Sequence, residues 1–149
     1  MLSRRCEYGV AAVLYLAASD AEGYVPIRQI SDDLDLSFPF LTKVLQDLNN
    51  AGYLTSMRGP NGGVAFARPP ETLSLKDIVV AIDGPELFTE CVMGLPGCGT
   101  GKPCPMHEEW GPVRDRLEEL FERLSVAEAV RRDDLRARIG CKHAAGVGP

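Results

Sequence analysis

Residues 27–52 read IRQISDDLDLSFPFLTKVLQDLNNAG, and their punctuation divides them into two short helices. Ile27, Ile30 and Leu34 form one apolar stripe, Asp35-Leu36 makes a turn, and Ser37 is an N-cap for the second helix. Pro39 falls in that helix's first turn, where its missing N–H would have had no partner. Leu41, Val44, Leu45 and Leu48 recur at helical spacing up to about Ala51, and Gly52 is placed to close the helix. The opposite stripe holds Ser37, Pro39, Thr42, Lys43, Gln46 and Asn50, small or uncharged polar groups plus one cation. Such a face suits a DNA groove: Lys43 and Gln46 reach base edges or phosphates, and no carboxylate on the stripe repels the backbone.

The segments on either side agree with a helix-turn-helix. Tyr53–Ser56 and Val64–Ala67 read as two short strands joined by Met57-Arg-Gly-Pro-Asn-Gly-Gly63, with Asn61-Gly62 a strong hairpin signal. A hairpin after the second helix is a wing, and Arg58 at its base is placed to enter a narrow minor groove, flanked by Gly59, Asn61 and Gly62. Upstream, Ser3–Ser19 is apolar on most sides, which predicts a buried helix, partly against a second subunit. Downstream, Ser74-Leu-Lys-Asp77 is a capping box ahead of Leu75, Ile78, Val79 and Ile82, ending at Gly84-Pro85. A later helix from about Trp110 and Pro112 carries Val113, Leu117, Leu120, Phe121 and Leu124 on one stripe, a face suited to an antiparallel dimer contact. Ser125-Val-Ala-Glu128 opens a last helix expected to end near Gly140. The fold class expected is mainly α with a small β wing: a winged helix-turn-helix at 1–84, an irregular loop at 85–108, dimerisation and C-terminal helices at 109–140, and a disordered tail at 141–149.

The net charge of −5 argues against a nucleic-acid partner only if it is spread evenly. Residues 1–68 hold six Lys/Arg against seven Asp/Glu, so the acidity lies mostly in the second half and the winged helix is near neutral. The apolar run Val10–Ala18 is too short to span a bilayer and no basic leader precedes it, so a soluble cytoplasmic protein with no membrane partner is expected. No nucleophile–base or paired-carboxylate constellation suggests an enzyme; Cys141 and His143 lie in the tail.

Residues 89–107 differ in kind. Gly94, Gly97, Gly99 and Gly101 with Pro96, Pro103 and Pro105 forbid regular structure, so packing within the segment cannot order it. It carries Cys91, Cys98 and Cys104, then His107 after two more residues. Five cysteines is an odd number, which makes a disulfide framework a poor reading; clustered thiols in a reducing compartment point to metal or redox chemistry. Thiolates select iron–sulfur clusters, zinc or copper(I), and gaps of six and five residues suit a bulky iron–sulfur cluster better than the close pairs of a zinc ribbon. A structural zinc, or metal-free thiols acting as a redox switch, stay open on spacing alone. Cys6 reads as a small buried apolar residue.

The order of elements, Ala51-Gly-Tyr-Leu54 with the Arg58-Gly-Pro-Asn-Gly-Gly63 wing, Leu75-Lys-Asp-Ile78, and the three-cysteine loop followed by His107 and Trp110 together resemble the IscR/NsrR-type (Rrf-two) family of winged-helix, iron–sulfur-cluster transcriptional regulators over roughly residues 1–135. The resemblance implies a homodimer held by the helix after the loop. It implies a palindromic double-stranded DNA operator bound by recognition helix and wing, with repression the expected outcome. It also implies that Cys91, Cys98 and Cys104 ligate a 2Fe–2S or 4Fe–4S cluster, 2Fe–2S being the first expectation, and that cluster supply, redox state or nitric oxide sets operator affinity. The fourth ligand in such proteins is a histidine matching His107 or an acidic residue of the partner subunit's first helix, a position Glu7 matches. Thr42 stands where IscR-like members carry a base-reading acidic residue, so no operator sequence carries over.

Overall fold

The computed structural model describes residues 2–19, 21–96 and 103–132. Helix α1 (Arg4–Ser19) is followed by α2 (Ile27–Leu34), α3 (Phe38–Asn50), an antiparallel hairpin of β1 (Leu54–Met57) and β2 (Gly63–Phe66), a 3-10 turn at Pro70–Thr72, α4 (Leu75–Asp83), the single-turn α5 (Glu86–Thr89), α6 (His107–Arg123) and α7 (Val126–Arg131). This is the mainly helical winged-helix architecture expected.

Helices α2 and α3 follow their periodicity, with Ile30 and then Leu41, Val44, Leu45 and Leu48 buried. Both end alike. Asp35, at φ 54, and Gly52, at φ 81, take the left-handed conformation. Leu36 N–H then reaches back to Ser31 O (2.9 Å) and Tyr53 N–H to Leu48 O (3.1 Å), closing two Schellman caps. The first of these caps is the turn of the helix-turn-helix. Ser37 occupies the N-cap position of α3, but its hydroxyl makes no capping bond.

Helix α1 is buried within its own chain: it packs on α3, α4 and α7, so no second subunit is needed to cover most of it. Tyr15, with no exposed surface, orients α2 by donating its hydroxyl to Asp33 Oδ2 (2.6 Å) and accepting from Gln29 Nε2 (3.0 Å).

The wing strands pair Leu54 with Phe66 and Met57 with Gly63. Asn61-Gly62 does not form the two-residue turn that its sequence suggests, since neither residue has positive φ. The loop is instead five residues long, with Pro60 and Asn61 at the centre of a turn closed by Gly62 N–H to Gly59 O (3.0 Å), the placement proline favours. Val25, just ahead of α2, exchanges both backbone hydrogen bonds with Val64 (2.8 and 2.9 Å) and fastens the hairpin to the helices. A single residue pairing across that distance has no sequence signature.

The N-caps of α4 and α7 meet. Ser74 Oγ accepts from Asp77 N–H while Asp77 Oδ2 accepts from Ser74 N–H, and Ser125 Oγ accepts from Glu128 N–H. Ser74 and Ser125 are also partners in a β-bridge formed by Leu75 N–H to Leu124 O and Val126 N–H to Leu73 O (3.0 and 2.8 Å). Helix α7 thereby joins the core through Val126, Ala129 and Val130. We expect Ser74→Ala to cost about 1 kcal/mol, read as a lowered urea midpoint with an unchanged m-value.

The second half departs from expectation at three places. A turn of helix, α5, forms within the segment after Pro85. Helix α6 starts at His107 rather than near Trp110, because Trp110 N–H already bonds Met106 O (2.7 Å), which leaves Pro112 inside the helix. Helix α7 stops at Arg131, where Arg132 turns extended, short of Gly140; residues 133–149, including the expected tail, lie outside the described residues.

A candidate nucleic-acid interface beside a paired-cysteine site

On α3, Ser37, Pro39, Lys43 and Gln46 are exposed together, as is Asn50. Thr42 is half-buried, its hydroxyl turned back onto Phe38 O (2.8 Å), and Gln46 Nε2 donates to Asn50 Oδ1 (3.0 Å). The carboxylate of α3, Asp47, is paired with Arg5 of α1, so the helix presents Lys43 without an uncompensated negative charge beside it. At the head of α3 the Arg28 guanidinium lies 3.9 Å from the Phe38 ring centre. Sequence reading did not single out Arg28 or Arg5: each stands on a different helix, and only folding brings it to α3. On the wing, Arg58, Gly59 and Asn61 are exposed and Gly62 is half-buried at the turn.

The cysteine segment is organised by the start of α6. Cys91 stands two residues after α5 and is almost fully buried; Cys104 is half-buried, three residues ahead of α6. Folding brings their sulfur atoms to 3.2 Å across thirteen residues of chain, and Cys91 Sγ also accepts from Met93 N–H (3.4 Å). His107 N–H bonds Cys104 O (3.0 Å), so His107 belongs to the same turn. Cys98, the middle cysteine, lies outside the described residues. Glu7 is exposed on α1 of the same chain.

The flanks of this segment are fixed from outside it, by side chains of α6. Trp110 Nε1–H donates to Glu90 O (3.0 Å), Arg114 donates to Thr89 O (3.2 Å), and the Phe88 and Phe121 rings meet edge to face at 5.5 Å. Beside Cys91 a groove of about 730 Å³ runs between Ser3, Asp83, Glu86, Glu90 and Trp110. Asp83 accepts hydrogen bonds from the Ser3 hydroxyl and from Ser3 N–H (3.0 Å), while Ser3 Oγ accepts from Cys6 N–H and caps α1.

Cys6 is of another kind. It is fully buried, and burial, reinforced by the Asp83 carboxylate and Glu7, pushes its thiol up to about 12, so it stays protonated and is a poor nucleophile and a poor metal ligand. Iodoacetamide applied to the native, metal-free protein at pH 8 should leave Cys6 unmodified while Cys104 is alkylated, as peptide mass mapping would read.

Helix α6 lies on α4 and α5 through Leu117, Phe121 and Leu124 and through Lys76, whose ammonium sits 2.7 Å from Glu118. The same stripe leaves Val113 55% and Leu120 50% exposed. Among the described residues, no helix is long and apolar enough to cross a membrane.

Residues 2–132 match the family profile described as "Rrf2: Iron-dependent Transcriptional regulator". The HTH-type transcriptional regulator IscR of Erwinia tasmaniensis is 28% identical over 134 residues, covering 90% of this chain and 81% of that protein. Among solved structures, IscR of T. potens superposes with a TM-score of 0.68 at 27% identity, covering 87% of this chain and 85% of the other. CymR, the global cysteine regulator of B. subtilis, superposes with a TM-score of 0.73 at 24% identity over 87% of this chain and 95% of the other, a likeness of fold.

Proposed function

Given that the chain belongs to the Rrf2 family of transcriptional regulators and is not an enzyme, we propose that it is a homodimeric repressor whose affinity for a palindromic operator is set by an iron–sulfur cluster on Cys91, Cys98 and Cys104. The observation that carries this reading is the pair of sulfur atoms 3.2 Å apart at the start of α6. Two thiols this close could serve together as thiolate ligands, the donor type that iron–sulfur clusters take. Cys98, one of the twelve residues between them in the chain, supplies the third sulfur, and His107 or Glu7 of the partner subunit the fourth ligand. Such a cluster, when bound, supplies a joint between three cysteines that is sensitive to oxidation, to nitric oxide and to cluster supply.

The chain's own residues carry a change at that joint to DNA. Helix α6 is tied to α4 by Lys76–Glu118 and by Leu117 and Phe121, and α4 packs on both α1 and α3. A displacement of the α6 start therefore reaches the recognition helix through one intervening helix. Exposed Val113 and Leu120 on α6 support the dimer reading, since they extend the stripe whose other half is already packed. Ser37, Pro39, Thr42, Lys43 and Gln46, with Arg58, Gly59, Asn61 and Gly62 of the wing, form the proposed DNA contact.

The same sulfur contact also suits a metal-free switch that closes a Cys91–Cys104 disulfide. Anaerobic purification followed by iron, sulfide and zinc analysis separates the readings: iron with stoichiometric sulfide supports the cluster, zinc alone or no metal rejects it. Operator titrations of loaded and stripped protein then give the direction of the switch. We expect Lys43→Ala and Arg58→Ala each to weaken operator binding about tenfold, with a salt slope lower by about 1, and to leave the visible spectrum untouched. Unchanged affinity at matched salt for either variant would remove that residue from the interface.

A further inference from the structure

The carbonyls at the end of α5 explain why Cys91 stands where it does. A helix of one turn leaves its last carbonyls without intrahelical donors, and this one has no glycine cap, since Glu90 continues in an extended conformation. The donors come from α6: Trp110 Nε1–H to Glu90 O at 3.0 Å and Arg114 Nη1–H to Thr89 O at 3.2 Å. Trp110 and Arg114 are four residues apart, on one face in successive turns. The Arg114 side chain is only 16% exposed, which holds its guanidinium in place rather than leaving it to wander in solvent. At the other end of the segment the same helix holds Cys104, through His107 N–H to Cys104 O. Both sulfur atoms are thus referenced to one rigid rod.

We propose that Trp110 and Arg114 are positioning residues for the thiol pair: by fixing the Thr89 and Glu90 carbonyls they hold Cys91 against Cys104, which the start of the same helix holds through His107. The role rests on the reading of Cys91 and Cys104 as a functional pair. It also makes α6 the first element to feel any change in their separation, because parting the sulfurs works against the two hydrogen bonds that anchor α5.

The test reads the closeness of the pair without any metal. In the full-length chain carrying Cys98→Ser and Cys141→Ser, Cys91 and Cys104 are left as the reactive thiols, Cys6 being buried. The metal-free protein is equilibrated with glutathione buffers. One thiolate attacks oxidised glutathione and releases one reduced glutathione; the second thiolate then attacks the mixed disulfide and releases another. Two protein thiols become one disulfide as one oxidised glutathione becomes two reduced ones, and acid-quenched mass spectra give the equilibrium constant. Trp110→Phe keeps a ring and loses the donor; Arg114→Met keeps the stem and loses the donor.

Each is expected to lower the equilibrium constant about fivefold, roughly 20 mV at about 30 mV per tenfold, and the double variant further than either. Lys76→Met loosens α6 from α4 away from the cysteines and is expected to lower the unfolding midpoint while leaving the glutathione equilibrium within about twofold of the parent. The proposal is overturned if Trp110→Phe and Arg114→Met match the parent, or if Lys76→Met shifts the equilibrium as far as they do. Iron and sulfide analysis of the unsubstituted protein stands apart: a shifted glutathione equilibrium with no iron in the anaerobic parent sinks the cluster and leaves the positioning role standing.

Discussion

Gly63→Ala is expected to destabilise the protein by about 3 kcal/mol or more and to abolish specific operator binding, the largest single effect of any wing substitution. Two independent costs coincide at this residue. Its φ of 148° belongs to a region that a residue with a β-carbon rarely adopts. A β-carbon there would also lie 2.0 Å from Val25 O and 2.7 Å from Pro26 N, both backbone atoms that cannot swing aside. Val25 is the residue that fastens the hairpin to the helices by two hydrogen bonds with Val64, so relief of the clash requires that bridge to open. Helix α2 begins two residues later, so a shift there carries into the helix-turn-helix. Circular dichroism melting and a gel shift at matched salt check both parts. A melting temperature within about 2 °C of the parent would show that the wing is not moored at Gly63.

Cys104→Ser is the second. The anaerobically purified variant should lack bound iron and visible absorbance while its folding stability stays within about 1 kcal/mol of the parent, because an oxygen replaces a sulfur in a half-buried position outside the core. Its operator affinity should equal that of the stripped parent. Cys98→Ala is expected to behave the same way, and it guards against a serine oxygen standing in as a ligand. Full iron retention in both variants would contradict the ligand assignment. Failure of both variants to fold would show the segment to be structural rather than sensory.

Much of this molecule was legible from local chemistry. The stripes of α2 and α3, the turn at Asp35-Leu36, the closing Gly52 and the Ser74-Leu-Lys-Asp77 box are decided within one or two turns of chain, where side-chain periodicity and backbone preference act directly. The wing was readable as a hairpin, although its loop closed around Pro60-Asn61 because proline's fixed φ suits that place and β2 starts one residue before Val64. The cysteine spacing pointed to a candidate site and to the soft chemistry that such donors take.

What the sequence alone determined about this protein is therefore the element order, the exposed polar stripe of α3 and the clustering of cysteines in one segment, all consequences of residues a few positions apart. Tertiary structure alone decided that α1 is covered by its own chain, that Val25 moors the wing, that Arg5 neutralises Asp47, and that Trp110 and Arg114 set Cys91 beside Cys104. Each of these joins groups that are 20 to 42 residues apart or lie on separate elements, and is selected by which carbonyl, charge or apolar face remains to be satisfied once the elements have packed.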